Sequence, residues 1–425
     1  MRGLGHFMPL WGAESLSNLG TQLTGFALGV WAYRETGSVA WLSLFALAAT
    51  APKVLIAPAA GVLADRFDRR RVLRFGHAAS GVCTLLTAAL FATGTPDPAF
   101  VLPLVGLSAL VSAAQYPAFQ AATTLLVPKS ELARASGLVH FGFSAAAIVA
   151  PATAGVLLGE VGVAGVLLLD VLTFVSAWWI LRDVKIPRAS GGTPEGSEAG
   201  QLALGFLYLR HRPPMMALLG LFATLAFCLG LTQLLVTPLI LAIADEVALG
   251  QVLSASGLGL LAGSAAMLVW GGPRSLIGGI AWLCGAQGLL LTATAVARTP
   301  LGVAVGLFFV FSLRPLLSAC SAALWQKKVH PALQGRVFAV RSMVVQGAVP
   351  LAYLAAGPLT ALATAWTAPD AALTSCTEAL FGVEPGRHIA LLIAALGAAL
   401  VALAAATRLY PRLWRLDDEL PDAEP

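Results

Sequence analysis

The chain has 425 residues, 58% of them hydrophobic and 11% charged. Soluble domains carry about 25% charged residues, so this one lacks the charge to cover a water-facing surface. A soluble enzyme, a disordered protein and a nucleic-acid binder are excluded, and an integral membrane protein is expected. The net charge of +5 follows from where the basic residues fall and needs no polyanionic partner.

A bilayer core about 30 Å thick is crossed by about 20 apolar helical residues. Twelve windows meet that length: 7–33, 39–63, 72–94, 101–126, 133–159, 163–182, 215–243, 249–270, 276–297, 301–325, 338–365 and 388–410. The short alternating segments of a β-barrel are absent from the sequence. The first window holds Glu14, Asn18 and Gln22 and has neither a basic n-region nor a small-residue cleavage site, so it is expected to remain as a span. With the N-terminus in the cytoplasm, 21 of the 26 Lys and Arg residues lie at or beside cytoplasmic ends; Arg34, Arg298 and Arg387 lie outside, and Lys53 and Arg314 lie within spans. The excess of inner basic residues predicts that both termini are cytoplasmic, and the expected location is a bacterial cytoplasmic (inner) membrane. The five cysteines show no CxxC spacing, so neither a disulfide framework nor a metal site is expected.

Ionisable and polar groups inside spans are costly and are functional candidates by default. In span 1, Glu14, Asn18, Thr21, Gln22, Gly25 and Gly29 fall within about 100° of arc at helical periodicity, a stripe suited to lining a cavity. Lys53 sits in span 2 between Pro52 and Pro58. His77 in span 3 and His140 in span 5 read first as packing residues, with His140 a reserve proton carrier. Gln115 and Tyr116 in span 4 and Gln233 in span 7 are cavity candidates. Asp170, about seven residues into span 6, reads first as a partner of the helix N-terminus and second as a coupling acid. Arg314 in span 10 needs an acid, a cavity or an anionic cargo, with Ser318 and Ser321 following at i+4 and i+7. Glu14 is the first choice for proton coupling, followed by Asp170 and His140.

Residues 183–213 carry a Gly/Ser/Pro/Glu-rich middle typical of a flexible linker. They divide an N-terminal bundle (1–182) from a C-terminal bundle (214–410), with 411–425 as a cytoplasmic tail. "LLVPKSELARASG" before span 5 is similar to "KKVHPALQGRVFA" before span 11; Arg134 to Arg336 and Gly155 to Gly357 are both 202 residues apart. Two six-span repeats around a linker mark a two-bundle secondary transporter with a midplane site between its halves. The sequence has no GxxxxGK[ST] nucleotide-binding motif, so uphill transport would draw on an ion gradient.

After span 2 the chain reads Gly61-Val-Leu-Ala-Asp65-Arg66-Phe-Asp68-Arg69-Arg70-Arg71. This resembles motif A of the major facilitator superfamily, GxLaDRxGRR, with Asp68 in place of the turn glycine. Gly61 would allow close helix packing and the charges would pair across helices or with helix ends. Asp68 fits a turn because Asp tolerates the left-handed conformation better than most residues. "LTGFALGVWAYRETGSVA", "YPAFQAATTLLVP", "ALWQKKVHPALQGRVFAVR" and "LDDELPDA" are similar to the macrolide-efflux-like branch. In span 5, Gly137, Ala146, Ala150-Pro151 and Ala154-Gly155 keep the spacing of the antiporter motif C, G-x8-G-x3-GP-x2-GG, with several glycines replaced by alanine. The basic motif B of span 4 is missing, and the second-half counterpart of motif A, "VWGGPRS", has lost its acid.

The resemblance implies an all-α integral membrane protein with twelve transmembrane helices in two six-helix bundles. It implies export of a small amphipathic compound, an antibiotic or other secondary metabolite, by proton antiport and alternating access. Gly61, Asp65, Arg66, Arg69 and Arg70 would form a conformational latch. No cofactor is expected beyond the proton gradient; the partners are the cargo and the lipid bilayer, with no nucleic acid, and a monomer is expected. A siderophore or metabolite exporter of narrow specificity is the alternative within export. Uptake by symport is disfavoured only by the partial motif C, and a non-transporting scaffold or sensor is the alternative from another class.

Overall fold

The computed structural model describes residues 4–187, 198–367, 374–382 and 386–414, and among them the regular structure is entirely helical. The helices are α1 (Met8–Thr36), α2 (Val39–Leu55), α3 (Ala57–Arg66), α4 (Arg69–Ala92), α5 (Pro98–Ser112), α6 (Gln115–Leu126), α7 (Leu132–Ile180), α8 (Glu198–Arg210), α9 (Pro213–Leu241), α10 (Glu246–Trp270), α11 (Leu276–Ala295), α12 (Pro300–Lys328), α13 (Pro331–Trp366), α14 (Thr374–Phe381), α15 (Arg387–Leu409) and α16 (Pro411–Trp414). Among the described residues, nine helical segments are long and apolar enough to cross a membrane.

Local chemistry sets the breaks. α7 has 49 residues, which at 1.5 Å each would span about 74 Å, more than twice a bilayer core. Gly162, at φ 64 and ψ −176, interrupts it in a conformation open to glycine, and each limb matches one of predicted spans 5 and 6. Span 2 is divided at Ile56 (φ −98, ψ 6) into α2 and α3, with Pro52 and Pro58 on either side. Span 4 is divided at Ala113–Ala114 into α5 and α6, where Pro117 has no N–H to continue the ladder. Asp97, Ser275 and Thr299 start α5, α11 and α12 by accepting from Ala99 N at 2.8 Å, Gly278 N at 3.2 Å and Gly302 N at 3.1 Å.

Two compact units emerge: Met1–Thr193 with Glu246–Ser254, and Pro194–Asp245 with Ala255–Pro425. In the first, α1 packs along both limbs of α7: Trp11 Nε1 donates to Leu138 O at 2.7 Å, and Gly20 lies against Asp170 and Thr173. One end of this unit is closed by Phe7, Leu10, Leu73, Phe119 and Leu181, the other by Leu28, Trp31, Phe45, Val101 and Leu167. In the second unit, α11 meets α15 where Gly288 faces the Gly397 carbonyl and meets α12 through Gln287 Nε2 donating to Val310 O at 2.8 Å. Small residues at such crossings let backbones approach, which is how helices associate without a hydrophobic difference between lipid and protein.

Two features depart from the organisation read from the sequence. The second half of the expected flexible linker is a helix, α8, whose Gly205 rests against the Arg336 carbonyl and whose Tyr208 hydroxyl reaches Lys328 O at 3.5 Å. The first nine residues of α10 group with the first unit, through contacts with α1 and α7 described below. In the expected tail, Pro411–Trp414 is helical, and residues 415–425 lie outside the described ones.

Candidate functional site: a buried polar seam

The polar stripe of α1 meets polar residues of α4 and α7. Glu14 Oε1 pairs with His77 Nε2 at 2.9 Å. On the other side of the same ring, Nδ1 pairs with Ser17 Oγ at 3.3 Å. The His77 side chain is 1% exposed and Glu14 is 16% exposed, so the acid reaches a surface and the imidazole does not. Two turns further along α1, Thr24 Oγ1 donates to Asp170 Oδ2 at 2.7 Å, and Thr173 Oγ1 approaches Asp170 Oδ1 at 3.2 Å. Asp170 is 1% exposed, and it fits against α1 because residue 20 is glycine; a Cβ there would collide with its carboxylate.

The α4 side of the seam is a polar stripe at helical spacing: His77, Ser80, Thr84 and Thr87 are all buried. Gly81 in the same face receives Phe174 of α7, whose Cβ lies 3.3 Å from where a Cβ on the glycine would be. Next to His77, Gly76 accommodates the side chain of Gln115 from α6. The Ser80 hydroxyl, Asn18 Nδ2 and Gln115 Nε2 are buried without a hydrogen-bond partner among the described residues.

Asp170 lies eight residues beyond the Gly162 break, more than two turns into the second limb of α7. A helix-end interaction fades within the first turn, so the expected N-terminal role is replaced by side-chain hydrogen bonds in the interior. Glu14, Asn18 and Gln115 are brought to this region, with Gln22 half-buried farther along α1. His140 is exposed on α7 and joins neither carboxylate. His77, read from sequence as a packing residue, is the residue that holds Glu14.

The other candidates are dispersed. Lys53 is exposed in the last turn of α2, where a cation is favoured by the free carbonyls of the helix end. Gln233 is exposed on α9. Tyr116 is exposed, accepts from Gln120 Nε2 at 2.7 Å, and meets the Phe143 ring edge-on at 6.0 Å. Arg314 is exposed midway along α12 and makes no ion pair among the described residues. The apolar stripe Leu301, Val305 and Phe309, exposed by 74%, 50% and 49%, lies on the opposite side of that helix by its 100° periodicity. Arg314 therefore faces away from the helix's exposed apolar side. Ser318 is exposed beside it, whereas Ser321 is buried and accepts from Arg341 at 3.1 Å.

In the motif A segment, Arg70 Nε donates to Leu181 O at 2.9 Å, tying the start of α4 to the end of α7. Asp68 is an N-cap: its carboxylate accepts from Arg70 N at 3.0 Å and Arg71 N at 3.4 Å. Its φ of −59 is not left-handed, so capping, rather than tolerance of positive φ, explains Asp at this turn. Arg69 is half-buried. Among the described residues, Gly61 has no atom within 4 Å of a would-be Cβ. The side chains of Asp65 and Arg66 lie outside the described ones.

The motif C segment supports close packing at one end only. Gly137 has open space around it, while a Cβ on Gly155 would lie 2.5 Å from the Glu246 carbonyl, and Gly250 faces the Pro151 carbonyl in return. Ser254 Oγ donates to Ile148 O at 2.6 Å and accepts from Ala152 N at 3.1 Å. Those two groups are an i, i+4 pair, so the serine bridges one rung of the α7 ladder beside Pro151. Arg34 and Glu246 close the same end with an ion pair at 2.7 Å.

Comparison with known proteins places these features in a family. The model of the Major Facilitator Superfamily matches residues 10–353. Macrolide efflux protein A of Streptococcus pyogenes is 26% identical over 357 residues, covering 81% of this chain and 87% of that protein. Macrolide efflux protein A of Enterococcus faecalis is 27% identical over 312 residues, covering 71% and 95%. Among solved structures, the nucleoside transporter NupG aligns with a TM-score of 0.72 at 11% identity, covering 96% of this chain and all of that one. A bacterial homologue of the human lysosomal transporter Spinster aligns at 0.69 with 14% identity, covering 97% of each. These structures share the fold.

Proposed function

The chain belongs to the major facilitator superfamily, and on that premise we propose that it exports a small amphipathic compound, an antibiotic or other secondary metabolite, in exchange for protons. The membrane is the bacterial cytoplasmic membrane, with both termini inside, and the cycle is alternating access. Similarity to macrolide efflux proteins over four-fifths of the chain supports a drug-like cargo. The observation that carries proton coupling is the Glu14–His77 pair: an acid on the polar stripe of α1, partly open to its surroundings, backed by a buried imidazole. Such a carboxylate can hold a proton in one state and release it in the other, and a cationic cargo can compete with the proton for its charge. Asp65 and Arg69 of the motif A segment form the latch in this reading, and Asp65→Asn should abolish most transport while leaving membrane insertion intact.

The test is efflux from proteoliposomes loaded with erythromycin under an imposed pH gradient of either sign. Antiport requires faster loss of the drug when the gradient drives protons in the opposite direction. Equal rates under both gradients would reject antiport, and no protein-dependent flux of erythromycin would reject a macrolide cargo. Arg314 favours one second reading. A mid-helix guanidinium without an ion pair among the described residues suits an acidic cargo, as in a narrow-specificity exporter of a siderophore or other acidic metabolite.

A further inference from the structure

We propose that His77 relays protons between Glu14 and Asp170, so that the proton-carrying element is a buried seam of α1, α4 and α7 rather than a lone carboxylate. The inference rests on the antiport reading for its role but on separate observations for its existence. Both ring nitrogens of His77 are engaged, Nε2 by Glu14 at 2.9 Å and Nδ1 by Ser17 at 3.3 Å. A ring held between an acid and a hydroxyl at 1% exposure can receive a proton on one nitrogen and pass one on from the other. Beyond it, one turn along α4, the Ser80 hydroxyl is 1% exposed and has no hydrogen-bond partner among the described residues. A buried hydroxyl left unpaired costs free energy, and here it lies on the stripe leading away from His77, with one proton to give and lone pairs to receive. Asp170, at 1% exposure, ends the seam, held by Thr24 and Thr173 and about one turn of α7 from Phe174, whose ring centroid lies 6.1 Å from that of His77.

The groups facing the ring are few. α1 contributes Glu14, α7 contributes the Phe174 ring at 6.1 Å, with Asp170 four residues before it on the same helix, and α6 contributes Gln115, which is neutral. On α4 itself, Arg74 is turned away, stacked 4.2 Å over Trp178. In the step itself, the Glu14 carboxyl O–H breaks as its proton moves to Nε2. The Nδ1–H bond then breaks, and that proton passes through the hydroxyls to the Asp170 carboxylate, leaving neutral imidazole and a protonated Asp170. The reverse sequence returns it.

The experiment follows the Asp170 carboxyl directly and needs no cargo. In full-length protein in detergent, the protonated-carboxyl C=O band that disappears in Asp170→Asn is recorded by infrared spectroscopy, and its shift is timed after transfer to heavy water. His77→Gln and Glu14→Gln should each slow exchange at Asp170 by about a hundredfold, the low end of what a positioned acid–base group contributes. A purely packing role for His77 predicts the opposite sign, because loosening the seam admits water and speeds exchange. Unchanged or faster exchange in both variants would overturn the relay, as would the absence of any Asp170 carboxyl band across the stable pH range. Proteoliposome flux then separates the two ideas: a relay with gradient-independent efflux removes antiport alone, and gradient-dependent efflux with normal exchange in the variants removes the relay alone.

Discussion

Arg314 carries its charge midway along an apolar helix, on the side away from Leu301, Val305 and Phe309. If it binds an anionic part of the cargo through its planar fork, a lysine keeps the charge but loses the paired donors. Arg314→Lys should therefore raise the apparent KM for an acidic cargo about tenfold, a loss of about 1.4 kcal/mol, and Arg314→Ala should raise it further. Equal flux in wild type and both variants would leave Arg314 a spectator. Asp68 gives a second residue-scale outcome. Removing its cap in Asp68→Ala should cost about 1 kcal/mol, whereas Asp68→Gly, the residue usual in motif A, should cost only a few tenths; thermal unfolding in detergent measures both. At this scale the sequence was partly legible. Glu14 and Arg314 stood out because charge is rare in a span, but His77 did not, because a single imidazole in an apolar helix usually packs. Its signal was the period of His77, Ser80, Thr84 and Thr87, which only gains meaning once α1 and α7 are known to cover that face.

Pro151, Gly155, Gly250 and Ser254 act together where α7 meets the first turns of α10. Gly155 and Gly250 each face a backbone carbonyl of the other helix, so an added methyl cannot be absorbed by a rotating side chain. Gly155→Ala should lower stability by about 1–3 kcal/mol, as overpacking does, and reduce transport, while Gly137→Ala, with open space around it, should leave both unchanged. Ser254→Ala removes the hydroxyl that bridges Ile148 O and Ala152 N and so loosens α10 on α7; reduced flux with unchanged cargo affinity is the expected result. If Gly155→Ala and Ser254→Ala both transport as wild type does, the crossing is passive. The predicted windows found nearly every helix, because apolar length is a strong signal. Breaks were harder to read: Ile56 and Ala113–Ala114 follow from prolines, which are visible, but Gly162 is one of 43 glycines. α8 was hidden because a Gly/Ser/Pro-rich stretch precedes it, and its helical state is supported by packing on α13, which no local pattern reports.

For the whole molecule, the proposed proton antiport would require that one group change its proton occupancy as access alternates. Two acids of the first unit sit on the α1 seam, Glu14 partly exposed and Asp170 buried. Only the first can meet cargo or water directly, so in the proposed cycle exchange of proton for cargo would belong to Glu14, and Asp170 would store the proton that His77 delivers. Glu14→Gln imitates the protonated acid and keeps the hydrogen-bonding partner of His77, so the fold and the binding of neutral cargo should persist. What should be lost is the response to pH: efflux should fall to a slow, gradient-independent rate, at least about tenfold below wild type, and addition of cargo should no longer release protons from purified protein. Asp170→Asn should behave differently, retaining cargo-induced release from Glu14 while slowing turnover under a gradient. Proton release by Glu14→Gln equal to that of wild type would remove Glu14 from coupling and transfer the role to Asp170, the other acid on the seam.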